Sequence, residues 1–208
     1  SNCERSGDVR GIIEIIILII AIFIVTDIFE FTKALASTLM GDKLPKSQGR
    51  LTLNPIKHFE PIGFLLFVFT GMGWGKPVET SMVGYKSKRA GTLVTYITPI
   101  VVSLIFAGLI KIALVFLAVF FADVMWADYF MTFLGTLRHY FVIIAVFNLI
   151  PVYPLCGNRI LRCFLSPNAQ IRMSQNEKLY QTVFIFLWLL GLVSPVVNFV
   201  ANALLNIV

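Results

Sequence analysis

Apolar residues run in blocks along this chain, and short stretches rich in lysine and arginine separate them. The first block, Arg10 to Gly41, reads RGIIEIIILIIAIFIVTDIFEFTKALASTLMG. A helix needs ~20 apolar residues to cross a bilayer, and this block is long enough. It is too long, and too polar in its second half, to be a cleaved signal peptide. Later blocks run from Ala90 to about Phe121, from Asp128 to Ile150 and from Glu177 to Val208. The pattern predicts helices over about 10–41, 90–121, 128–150 and 177–207, with a kink or early end where Pro99 and Lys111 interrupt the second. A shorter block, Pro61–Gly75, makes a helix of only ~22 Å against a ~30 Å hydrocarbon core, and predicts a re-entrant segment. Gly71, Gly73 and Gly75 around Trp74 predict a tight turn at its end. Leu155–Leu165 predicts a short amphipathic helix. Gly49–Pro55, GRLTLNP, alternates apolar and polar residues up to a proline and predicts a short strand in a β-hairpin.

Composition agrees with one all-α polytopic membrane domain over residues 1–208. Of the residues 58% are hydrophobic and 13% charged, with mean hydropathy +0.86. A soluble domain of this size could not cover so much apolar surface.

The net charge of +6 is distributed unevenly. Four basic residues fall in 42–60 (Lys43, Lys46, Arg50, Lys57) and four in 76–90 (Lys76, Lys86, Lys88, Arg89). Four more fall in 151–178 (Arg159, Arg162, Arg172, Lys178), whereas Ala122–Asp128 holds two acids and no base. The positive-inside tendency then places loops 42–60, 76–90 and 151–178 in the cytoplasm, provided 61–75 turns back. The charge therefore calls for membrane lipids as partners and no nucleic acid. Cys3, Cys156 and Cys163 make no disulfide framework.

Polar groups within apolar helices are functional candidates, because burying a charge there is costly. Asp27, Glu30 and Lys33 step by three residues along one side of the first helix. Arg138 and His139 lie in the third long block, where they line the interior, pair with Asp27 or Glu14, or mark a later helix start.

Four blocks around these residues carry a resemblance. Phe29–Asp42, FEFTKALASTLMGD, is similar to a segment written HEFxHALxAxxxGD, and Pro45–Phe67 is similar to PxxQGRLTLNPxxHxDPIG. Gly73–Val78, GWGKPV, matches GWxKPV, and Phe147–Leu161, FNLIPVYPLCGNRIL, matches FNLIPxPPLDGxRIL. In this order they resemble the site-2 protease family of intramembrane zinc metalloproteases, and imply a site-2 protease-like helical bundle. Members use two histidines one helical turn apart and a third ligand, with one position left to a water whose pKa the metal lowers.

The resemblance places Phe29 and Lys33 at the histidine positions and Cys156 at the third ligand, so that only the general-base position, Glu30, is kept. The family's GPxxN asparagine is also missing from TPIVV, Thr98–Val102. Such a member is expected to hold no zinc and no other cofactor. A makeshift site from Asp27, Glu30 and Cys156 is opposed by the Lys33 cation. Lys33 can instead pair with Glu30, placing an ammonium near where the metal charge would stand. Cys156 then fills the vacated position, or becomes a reactive thiol if Lys33 lowers its pKa. The family's strand beside the active site maps to Arg50, Leu51, Thr52, Leu53 and Asn54, a candidate partner-binding edge.

Three functions follow as expectations. The first is a catalytically inactive homologue that binds a transmembrane partner or acts as a subunit of a homo- or hetero-oligomeric membrane complex. The second is an active metallopeptidase with non-standard ligands. The third is an ion-pathway subunit using Asp27, Glu30, Lys33 and Arg138.

Overall fold

The computed structural model describes residues 2–120 and 125–208, with side chains from Arg10 to Phe120 and from Ala127 onward. Among them the fold is all helical: α1 (Asn2–Leu39), α2 (Leu44–Ser47), α3 (Pro55–His58), α4 (Pro61–Thr70), α5 (Lys88–Phe120), α6 (Met125–Phe147), α7 (Cys156–Arg162), α8 (Pro167–Gln175), α9 (Glu177–Leu189) and α10 (Val193–Ile207). Among the described residues three helices are long and apolar enough to cross a membrane, at Arg10–Leu39, Lys88–Phe120 and Ala127–Phe147, or four if the bent pair Glu177–Leu189 and Val193–Ile207 counts as one span. Of the Ala122–Asp128 segment, residues 122–124 and the side chains up to 126 lie outside the described residues, as does the Cys3 side chain. Asp128 itself belongs to the first turn of α6.

Helices α1, α5 and α6 pack against one another, with α10 on α6 and α7 on α5. Every residue from Phe141 to Phe147 is buried, so the end of α6 is enclosed on all sides. Ala21, Ala107 and Ala145 are almost fully buried; small side chains at such contacts let helix backbones approach closely. The outer faces carry the opposite pattern, with Ile12, Ile16, Leu109, Ile112, Val115 and Val119 exposed. That apolar belt suits lipid tails.

Helix α1 stops at a glycine. The N–H of Asp42 bonds to Ser37 O and that of Gly41 to Thr38 O, while Gly41 takes φ +109°, the left-handed cap that closes many helices. Asp42 then gathers the chain. Its carboxylate accepts from Ser37 Oγ at 2.8 Å, Leu44 N at 2.9 Å and Ser81 N at 2.7 Å.

Three sequence expectations change. No strand forms among the described residues, so the β-hairpin over 49–55 is absent. A strand needs a neighbour's ladder, and here the segment's polar groups are taken by local partners. Asn54 Oδ1 caps α3 through Ile56 N at 3.1 Å, and Thr52 O accepts from His58 Nε2 at 2.9 Å. Helix α5 runs unbroken through Pro99 and Lys111. Proline removes one N–H, and Tyr96, Pro99 and Ile100 are buried on the packed face that holds the helix together. The final block divides into α9 and α10, bent by 79°. Gly191, φ +78°, causes the break: Gly191 N bonds to Trp188 O and Leu192 N to Leu187 O, again a left-handed cap.

Segment 61–75 forms a ten-residue helix, α4, followed by a returning non-helical strip. Gly71 takes φ +75° at the turn. The two arms meet backbone to backbone at Gly63 and Gly73, beside the Phe67 and Trp74 rings. A Cβ on Gly63 would lie 2.0 Å from Trp74 O, and one on Gly73 would lie 2.1 Å from Gly63 O. The excursion begins and ends at one hydrogen bond, Lys76 N to His58 O at 2.7 Å.

Candidate functional site

The polar side of α1 meets the returning strip and the start of α7. Lys33 Nζ lies 2.7 Å from Glu30 Oε1, with both side chains almost wholly buried. Helical spacing of i, i+3 puts the two on adjacent turns. The second carboxylate oxygen, Oε2, accepts the N–H of Val78 at 3.0 Å. Glu30 thus spends one oxygen on a cation and the other on a backbone donor. The Lys33 ammonium also stands 5.2 Å from the centroid of the Phe29 ring, within range of a cation–π attraction. Phe29 is 1% exposed and belongs to the apolar core.

Cys156 is fully buried at the first residue of α7. It is set there by the turn before it. Asn148 Oδ1 accepts from Cys156 N at 3.4 Å, and Gly157 N bonds to Asn148 O at 2.7 Å. A Cβ at Gly157 would fall 2.2 Å from Leu149 O, so only glycine permits this approach. Burial pushes the Cys156 thiol up to about 12, and the Lys33 ammonium facing it pulls the other way without prevailing. Burial therefore favours the protonated thiol at neutral pH.

Asp27 and His58 form a second buried contact, with Asp27 Oδ1 3.6 Å from His58 Nε2. Because Thr52 O can only accept, His58 Nε2 carries the hydrogen. Burial pushes the His58 pKa below the ordinary imidazole value, against the pull of that hydrogen bond. Arg50, also buried, sends its guanidinium to Lys57 O and Lys76 O, holding both ends of the α4 excursion. Of the other residues in 50–54, Leu51 and Thr52 are half-buried and Leu53 and Asn54 exposed.

Arg138 and His139 do not join this cluster. Arg138 donates to Leu205 O, and Lys111 donates to Asn206 O at 3.1 Å and Ile207 O at 3.0 Å, so two cations satisfy the last carbonyls of α10. His139 lines a cavity of 480 Å³ with Glu14, Thr132 and Thr136. Val78 and Asn148 fall within the matched blocks GWGKPV and FNLIP, but sequence reasoning assigns neither a role: Val78 acts through its backbone N–H, and Asn148 through an amide oxygen aimed at Cys156 N.

Beside Lys33 a cleft of 350 Å³ opens between Pro77–Thr80, Tyr96, Tyr153–Leu155 and Arg159. A zinc centre would need three protein donors and an open position. Among the described residues no group of three or more His, Cys, Asp or Glu side chains is placed to hold a metal ion. Phe29 offers no donor and Lys33 offers a cation. The residues present do not fit the metal.

This geometry sits in a chain with a clear relative. Over 191 residues, covering 91% of this chain and 85% of the other, it is 32% identical to a Bacillus subtilis (strain 168) protein named "Putative zinc metalloprotease YwhC". The chain belongs to that metalloprotease-like family. No protein-family model and no solved structure matches it.

Proposed function

We propose that the chain is a catalytically inactive member of this family, a pseudoprotease that binds a transmembrane partner or serves as a subunit of a membrane complex. One observation carries the proposal: the Lys33 ammonium, 2.7 Å from Glu30, at a position where the family resemblance puts a histidine ligand. A metallopeptidase of the implied type needs a free glutamate as general base beside a metal-activated water. Here both Glu30 oxygens are engaged, and a cation lies against them. The ammonium supplies the local positive charge, so the buried carboxylate is compensated with no metal. What the fold retains is a cleft lined by the extended strip at Pro77–Thr80, into which part of a partner can be received. The basic segments 42–60, 76–90 and 151–178 face the cytoplasm in this reading.

Elemental analysis of the full chain purified in detergent without chelator tests it. Zinc is expected far below one atom per chain, and Phe29→His/Lys33→His/Cys156→Asp is expected to gain zinc. One zinc per wild-type chain, lost on Glu30→Gln, would overturn the proposal.

A further inference from the structure

The cleft beside Lys33 adjoins a second cavity, of 330 Å³, and the two share Thr80, Tyr96 and Arg159 in their walls. The second lies between the first turns of α5, helix α7 and helix α8, and its basic lining is Lys88, Arg89, Arg159 and Arg162. Among the described residues no carboxylate lines it. Arg162 is already neutralised by Glu177 at 3.3 Å. Among the described residues, no carboxylate lies within 4.0 Å of Lys88, Arg89 or Arg159. Three uncompensated cations around one concavity repel each other and focus a positive potential into it.

The donors suit a tetrahedral oxyanion. Two of the cations are guanidiniums, whose planar fork matches phosphate oxygens. The Arg89 guanidinium is held over the Phe164 ring, 4.9 Å from its centroid, and so is partly pre-positioned. Thr80 Oγ1 and Tyr96 Oη share one hydrogen bond of 2.9 Å, which consumes one hydroxyl proton of the two and leaves the other free to donate.

We infer that this pocket is a phosphate-binding site, and that the phosphate belongs to the headgroup of an anionic phospholipid. Its depth argues for the lipid source. Lys88 is the first residue of the candidate span Lys88–Phe120, so the cavity lies where a span would leave the hydrocarbon core for the headgroup layer. Its rim is apolar as well: Met82 and Phe164 are both exposed there, next to cations. A phosphodiester tethered to acyl chains meets both surfaces, whereas free phosphate meets only one. The inference does not depend on whether the chain is a protease.

The full chain is reconstituted in nanodiscs of phosphatidylcholine, of phosphatidylcholine with phosphatidylglycerol, and of phosphatidylcholine with added inorganic phosphate. Thermal unfolding is followed, together with native mass spectrometry of retained lipid. Phosphatidylglycerol is expected to raise the unfolding temperature and to be retained. Losing a charge-assisted hydrogen bond typically weakens binding roughly tenfold or more, and Lys88→Gln/Arg89→Gln, which changes only exposed side chains, is expected to do so. Arg159→Gln should do the same, and Lys46→Gln, an exposed cation elsewhere, should have no effect. Three results would each overturn the inference. They are phosphatidylglycerol retention unchanged in both pocket variants, an equal loss with Lys46→Gln, and equal stabilisation by inorganic phosphate, which would identify a soluble anion as the ligand.

Discussion

Val78 donates its backbone N–H to Oε2 of Glu30 at 3.0 Å, across 48 residues of chain. This bond ties the strip returning from α4 to the C-terminal part of α1, on the carboxylate that also holds Lys33. Replacing Glu30 with glutamine keeps an acceptor for Val78 but removes the counter-charge of an ammonium that is 2% exposed. Orphaning a buried charge costs about 3–5 kcal/mol, whereas removing a whole pair is often near neutral. Glu30→Gln and Lys33→Met are each expected to lower thermal stability in detergent by that order, and the double variant to recover much of it. Additive losses in the double variant would show that the two residues act separately.

The excursion over α4 gives a steric prediction. Gly63→Ala and Gly73→Ala place a methyl group about 2 Å from backbone oxygen, with no flexible side chain able to yield. Each is expected to open the α4 turn, read as faster amide exchange over 61–75. Gly108→Ala and Gly135→Ala are the controls, because a Cβ at either meets nothing within 4 Å. Both lie inside long helices, where alanine is favoured over glycine by ~1 kcal/mol. Equal protection in all four variants would sink the account of close backbone contact.

Helical placement was readable from the apolar blocks because a span must be a long uninterrupted run. The i, i+3 step of Glu30 and Lys33 needs no tertiary knowledge either. Other features were hidden. The alternation in GRLTLNP satisfies a strand pattern, but whether a strand forms depends on a neighbour, and here His58 takes Thr52 O while the segment's own Arg50 side chain reaches out to Lys57 O and Lys76 O, with no ladder. Gly191 looks like one more small residue within an apolar run, and only its left-handed backbone shows that it ends α9. Arg138 signals a buried charge without naming a partner. That partner is Leu205 O at the end of another helix, and a backbone carbonyl leaves no trace in residue identity.

Because Lys76 N reaches His58 O, residues 57 and 76 lie on the same side of the excursion. Single cysteines at Lys57 and at Lys76 are expected to react with a membrane-impermeant thiol reagent from the same face of sealed vesicles. Arg50→Lys is expected to loosen this closure, since one ammonium cannot reproduce a fork that reaches both Lys57 O and Lys76 O. Faster amide exchange in 57–76 reads that loss. Labelling from opposite faces would mean that the segment spans.

Cys156 gives a pH dependence with a definite sign. Burial raises its pKa from the ordinary 9.0 to about 12. The folded state therefore holds the thiol proton more tightly than the unfolded chain does. Stability from this linkage is complete below pH 9, and falls as pH climbs toward about 12, because the unfolded thiol ionises first. Lysines and tyrosines also titrate in this range, so the informative quantity is the difference between wild type and Cys156→Ala. That difference is expected to be constant below pH 9 and to shift against wild type above it. The same shift predicts slow chemistry at lower pH. At pH 8 only roughly one thiol in ten thousand is ionised, and the thiolate is the nucleophile. In a Cys3→Ser/Cys163→Ser background, alkylation of folded protein should be far slower than of denatured protein, and Lys33→Met should slow it further, since Lys33 is what pulls the pKa down. Parallel stability curves for wild type and Cys156→Ala, or faster alkylation in Lys33→Met, would show that the thiol is not the buried, protonated group described.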